Sequence, residues 1–282
     1  MNSILSFFSY SFVWRALAVG TLITVCSALL GASLVLKRYS MLGDGLSHVG
    51  FGASAVGLAL GVAPLGIAVP AVLAAAFLLL KLGNSGKMRS DASIAIVSGS
   101  ALAVGVIAAK LSHGMNVDIN NYMFGSIYTL GESDVALSIV LCAVVLILYL
   151  LFYNRLFSVT FDEPFARATG IRVSFYETLL ACLTAVTVVI GMRMMGALLI
   201  SSLLVFPVMT ALKLCRSYRS VIICSVAVAE AGFFGGITLS FALRTPPGAS
   251  VAVVNLALLL LFSAAERIIL LASKKNKKSL AK

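Results

Sequence analysis

Apolar residues run along this chain in long unbroken blocks, without the one-faced or alternating patterns of soluble helices and strands. A hydrocarbon core about 30 Å thick is crossed by about 20 residues of helix. Nine blocks approach that length: residues 13–36, 43–61, 64–82, 91–110, 133–153, 174–191, 196–212, 219–241 and 249–271. The turns at 61–64 and 191–196 are so short that the count is eight or nine transmembrane helices. The pattern predicts an all-α polytopic membrane helix bundle, one transmembrane domain over residues 1–282. Two connections are longer: residues 111–132, and residues 154–173 with an amphipathic piece at 161–169.

Composition agrees with that pattern. Of 282 residues, 61% are hydrophobic and 11% charged, and the mean hydropathy is +1.08. A globular chain is about 45–50% apolar and about 25% charged, so soluble classes are excluded. The formal charge of +11 would suggest nucleic-acid binding on a soluble protein. Here no nucleic acid is expected, because the basic residues flank apolar blocks. Seventeen of the 21 Lys and Arg fall at one set of block ends and in the tail at 272–282. Arg15, Lys110, Arg193 and Arg244 fall at the other. The positive-inside rule then places the N-terminus outside and the C-terminus inside, with a basic cytoplasmic tail. Cys26, Cys142, Cys182, Cys215 and Cys224 show no Cys-x-x-Cys pair and read as small buried hydrophobes. No Gly-x-x-x-x-Gly-Lys-Ser/Thr loop is present, so ATP chemistry would have to come from a separate protein.

The sharpest chemical feature is Leu42-Gly43-Asp44-Gly45-Leu46-Ser47-His48. Asp44 and His48 are four apart, one helical turn on one face. A carboxylate and an imidazole so placed can share a divalent metal ion. The other reading is an aspartate at the membrane surface near Lys37 and Arg38, with a hydrogen-bonded histidine. Two ligands do not close a site, so water or other helices must supply the rest. The glycines of this block serve either tight helix packing or close approach to a pathway. The segment Phe161-Asp162-Glu163-Pro164-Phe165-Ala166-Arg167-Ala168-Thr169-Gly170 opens with acids and proline and closes with glycine, the signs of a short helix. It is either a docking helix or a solvated connector. Glu177 and Glu230 are acids within or beside apolar blocks, and Glu230 either hydrogen-bonds a neighbouring helix or faces a polar path.

Several segments in order resemble the ABC-3 family of metal-ion importer permeases, and the resemblance covers nearly the whole chain. Leu42 to His48 is similar to that family's Leu-Gly-Asp…Ser-His signature, and Asp91-Ala92-Ser93 to its Asp-Ala-Ser helix start. Tyr122-Met123-Phe124-Gly125-Ser126 resembles its Phe-Gly-Ser loop, and residues 161–170 resemble its cytoplasmic coupling segment. Residues 196–207, Leu239-Ser240 and Pro247-Gly248-Ala249-Ser250 resemble its later signatures. The resemblance implies a permease subunit, not itself an enzyme, in a bacterial inner membrane. It also implies a homodimer seated on a cytoplasmic ABC ATPase dimer, fed by an extracytoplasmic metal-binding protein. No permanently bound cofactor is implied; a divalent metal ion is the transported substrate. Asp44 and His48 become expected pathway ligands, and Phe161 through Gly170 the expected ATPase contact. Gly50-Phe51-Gly52-Ala53 leans toward zinc members, with manganese and iron as alternatives. Glu230 and Arg244 depart from the pattern and receive no role from it. A secondary transporter is the rival class, but no internal repeat of the usual kind is visible.

Overall fold

The computed structural model describes residues 11–84, 90–111 and 132–280. Among the described residues every element is a helix. In chain order they are α1 (Ser11–Leu36), α2 (Leu42–Ala59), α3 (Pro64–Asn84), α4 (Ser90–Leu111), α5 (Glu132–Leu151) and α6 (Tyr153–Phe161). Then follow α7 (Glu163–Ala168), α8 (Val173–Met195), α9 (Ala197–Leu214), α10 (Tyr218–Leu243) and α11 (Pro247–Leu280). The expected connection at 111–132, with His113 and the Phe124-Gly125-Ser126 motif, lies outside the described residues.

Among the described residues seven helices (α1, α3, α4, α8, α9, α10 and α11) are long and apolar enough to cross a bilayer. An eighth span arises if α5 and α6 count together, although a 68° bend separates them. The expected segment that falls short of this measure is α2, where glycines, serines and the Asp44–His48 pair lower the hydropathy. Protein surrounds it instead: twelve of its eighteen residues are buried. This is an integral membrane protein.

The centre of the bundle is α1, which packs on α5, α8, α9 and α10. On one flank α2 lies against α3, α4, α8 and α9; on the other, α11 covers α9 and α10. Two boundaries differ from those the hydropathy predicts. The expected turn at 191–196 contracts to Gly196 alone, whose φ of 90° breaks the chain between α8 and α9. Only glycine takes that conformation without a Cβ penalty. The expected block 133–153 ends at Leu151, because beyond it Asn154, Arg155 and Ser158 make the sequence amphipathic. Such a helix lies along a surface with one face buried: Leu156 and Val159 point inward while Asn154 and Arg155 are exposed. At the far end, α11 runs to Leu280, so residues 272–280 of the tail continue that helix.

Candidate functional site: an open Asp–His pair and its surroundings

The glycines of α2 settle how its faces are shared. At 100° per residue, Gly45 and Gly52 turn toward α4, where an added Cβ would meet Ile94 and the Ala101 carbonyl. Gly43 and Gly50 turn the other way, toward Leu204 of α9 and Met192 of α8. Tight packing is therefore their use. Between those two sides lies the face that carries Asp44 and His48.

His48 Nε2 stands 3.7 Å from Asp44 Oδ2, and the two side chains keep 27% and 43% of their exposure. Ser47 donates a hydrogen bond back to the Asp44 carbonyl at 2.7 Å, which leaves the carboxylate free of it. The separation is too wide for a hydrogen bond. A tetrahedral zinc ion with bonds of about 2.1 Å holds adjacent ligand atoms about 3.4 Å apart, so a small side-chain shift lets both donors share one ion. One turn further along the same face the opening ends: Phe51 is buried against Met192 of α8, Ala197 of α9 and Leu102 of α4. No group of three or more His, Cys, Asp or Glu that could hold a metal exists among the described residues. A groove of about 530 Å³ opens between α2, α3 and α4, but Val49, Ala53, Ile67, Ala71 and Val97 line it and the pair does not.

Residues 161–170 form a well-capped helical unit. The Asp162 side chain caps α7 by accepting from the Phe165 amide at 2.9 Å. Arg167 reaches back one turn to Glu163 at 2.7 Å, Pro164 sits in the first turn and Gly170 ends the unit at φ 80°. Ala166 alone is fully buried, packed with Val159 and Val173. Phe161 and Phe165 stand 62% and 60% exposed, and Ala168 and Thr169 are exposed too. Phe165 on this short capped helix and Phe161, the last residue of α6, together leave a small apolar surface open.

Three features escaped the sequence reading. Lys37, at the end of α1, forms an ion pair with Glu177 in the first turns of α8, and both side chains are buried, 7% and 6% exposed. Leu34, Tyr39, Leu42, Leu80 and Leu180 enclose it. Burial, followed by the charges of Glu177 and Glu163, pushes the Tyr39 phenol above its ordinary pKa. Lys213 of α9 meets Glu266 of α11 at 3.2 Å. The hydroxyls of Ser33, Tyr149 and Tyr218 form a buried cluster. None has a local signal, since Lys37 and Glu177 lie 140 positions apart. Glu230 differs from the hydrogen-bonded expectation: among the described residues neither of its carboxylate oxygens has a partner.

The model of the ABC 3 transport family matches residues 9–266. The chain belongs to the ABC 3 transport family. Among relatives of this ABC 3 chain is the "High-affinity zinc uptake system membrane protein ZnuB" of Haemophilus influenzae, 29% identical over 87% of this chain and 94% of that one. The "Manganese import system permease protein ScaB" of Streptococcus gordonii is 28% identical over 90% of this chain and 91% of that one. A solved structure, "PsaBC from Streptococcus pneumoniae in complex with Fab", superposes with a TM-score of 0.82 at 26% identity, over 93% of this chain and 94% of that one.

Proposed function

We propose that this chain is the permease subunit of an ATP-driven importer of a divalent metal ion, with zinc as the first cargo. The observation that carries the proposal is the Asp44–His48 pair, half-open on a helix most of whose residues are buried. Family membership and the metal-transport roles named for the relatives support it. The working unit is two copies of this chain on a dimer of cytoplasmic ABC ATPases, with an extracytoplasmic metal-binding protein delivering the ion. The chain sits in the bacterial inner membrane, N-terminus out and C-terminus in. Asp44 and His48 bind the passing ion; water, the second copy or residues outside the described set complete its shell. Nucleotide binding by the ATPases moves residues 161–170, and the helices around the pathway follow in alternating access.

The test replaces Asp44 or His48 by Ala in a strain lacking the chromosomal copy. Uptake of radioactive zinc should fall to background while the complex with the ATPase still assembles and hydrolyses ATP. Wild-type uptake in both variants would remove the pair from the pathway. Manganese is a second reading of the cargo, because ScaB is nearly as similar to this chain as ZnuB; parallel uptake of radioactive manganese separates the two. ATP-independent uptake by the isolated chain in liposomes would instead mark a secondary transporter.

A further inference from the structure

Tyr218, in the first turn of α10, touches two different parts of the bundle with its two ends. Its ring lies among aromatic side chains of α6, with centroids 5.7 Å from Tyr153, 5.0 Å from Phe157 and 6.3 Å from Phe161. Its hydroxyl is 2.9 Å from Ser33 Oγ of α1 and 3.1 Å from the Tyr149 hydroxyl of α5. A Ser33–Tyr149 contact of 3.3 Å closes the triangle. Each hydroxyl both donates and accepts, so the three satisfy one another with no water. Tyr218 is 6% exposed, Tyr149 1% and Ser33 fully buried. Ser217 caps α10 by accepting from the Ser220 amide at 3.3 Å, which fixes where the Tyr218 side chain begins.

The two ends differ in kind. Rings set tilted or edge-on to one another, at 41° to 87°, interlock with α6, whereas a hydroxyl triangle holds direction. The ring therefore follows α6 through small displacements, and the hydroxyl passes the displacement to fixed points on α1 and α5. Ser33 lies one turn before Lys37, and Lys37 is tied to Glu177 of α8. Phe161, the last residue of α6, begins the segment assigned above to the ATPase contact.

We propose that Tyr218 is a positioning residue for coupling: it links movement of α6 to α1 and α5, so that the nucleotide cycle and the pathway move together. This rests on the reading of residues 161–170 as the ATPase contact. Mere packing would need the ring alone and leave the hydroxyls without a task.

The experiment uses the full chain with its ATPase in proteoliposomes, with zinc ions as the probe, and reads ions carried per ATP hydrolysed. Tyr218→Phe keeps the ring and removes the hydroxyl; Ser33→Ala removes its hydroxyl partner on α1. Each should lower ions per ATP about three- to tenfold, what the net contribution of one hydrogen bond supplies. ATP hydrolysis should stay within about twofold of wild type, and the double variant should be no worse than the weaker single, as expected for one linked unit. Unchanged ions per ATP in both single variants would overturn the proposal, as would transport and hydrolysis falling in proportion. A second readout does not depend on transport. Amide hydrogen exchange on the purified full chain should quicken in α6 and at the end of α1 together in Tyr218→Phe; quickening in α6 alone would overturn the link. Should the wild-type complex carry neither zinc nor manganese, the permease reading fails, and the exchange result still decides the role of Tyr218 in joining these helices.

Discussion

Two acid–base pairs sit within a few turns of one another in this bundle and have opposite fates. Lys37 and Glu177 meet in the interior, 7% and 6% exposed, each the other's partner. Asp44 and His48, 43% and 27% exposed, stand 3.7 Å apart without bonding. The first pair is complete within one chain and ties α1 to α8. The second is incomplete, and α2 devotes its glycines to packing on both sides of it while leaving its face clear. A charge inside an apolar bundle needs an answer; here one answer comes from the fold, and the other, on the proposed function, from the passing ion.

Substitutions that treat the two pairs alike should separate them. The largest effect belongs to the closed pair. Lys37→Met or Glu177→Gln removes one partner of a buried ion pair and should cost about 3–5 kcal/mol, read as a lowered melting temperature and reduced yield in detergent. Removing both partners, as Lys37→Met with Glu177→Leu, should recover most of that loss; single variants that melt like wild type would show that the pair does not hold α1 to α8. Next comes the open pair. Asp44→Asn keeps the side chain's shape and should lower zinc uptake about 10- to 100-fold, with stability within about 0.5 kcal/mol of wild type. A loss of stability as large as that of Lys37→Met would make the two pairs one class.

Smaller effects test the surroundings. Gly52→Val drives a side chain against the Ala101 carbonyl of α4 and should cost about 1–3 kcal/mol by overpacking. Because Gly52 shares its helix with Asp44, uptake should fall along with stability, unlike in Asp44→Asn. The smallest effect is expected at Lys213, which pairs with Glu266 while remaining 39% exposed. Solvent screens such a pair, so Lys213→Ala should change stability by about 0.2–1 kcal/mol and leave uptake unaltered.

Much of this molecule was legible before any coordinates. Long apolar blocks marked most of the helices because a bilayer demands length and apolarity together, and the Asp44–His48 spacing put both side chains on one face because a helix turns by a fixed angle. The capping residues of α7 were equally readable, since Asp162, Pro164 and Gly170 act on their own neighbours. What stayed hidden was whatever depends on a distant partner. Hydropathy does not distinguish helices that face protein from those that face lipid: α1 and α4 share a value of 2.1, yet 72% of the one and 22% of the other is buried. The same limit concealed Lys37–Glu177, where the charge count put Lys37 in an inside loop and Glu177 read only as an acid beside an apolar block. It concealed Tyr218 as well, whose neighbours come from three other helices. The bend after Leu151 was missed for a local reason: the apolar block runs into Phe152 and Tyr153 without a break, and only the polar residues beyond them turn the chain.

That bend has a mechanical side. The nine residues of α6 make a rod about 14 Å long, hinged beside Phe152 and set 68° from the axis of α5. Swinging the rod by about 10° about its hinge carries the tip at Phe161 through about 2 Å, comparable to the helix translations by which other proteins change state. A modest push there is thereby converted into travel large enough to matter, with no need to unwind a single turn.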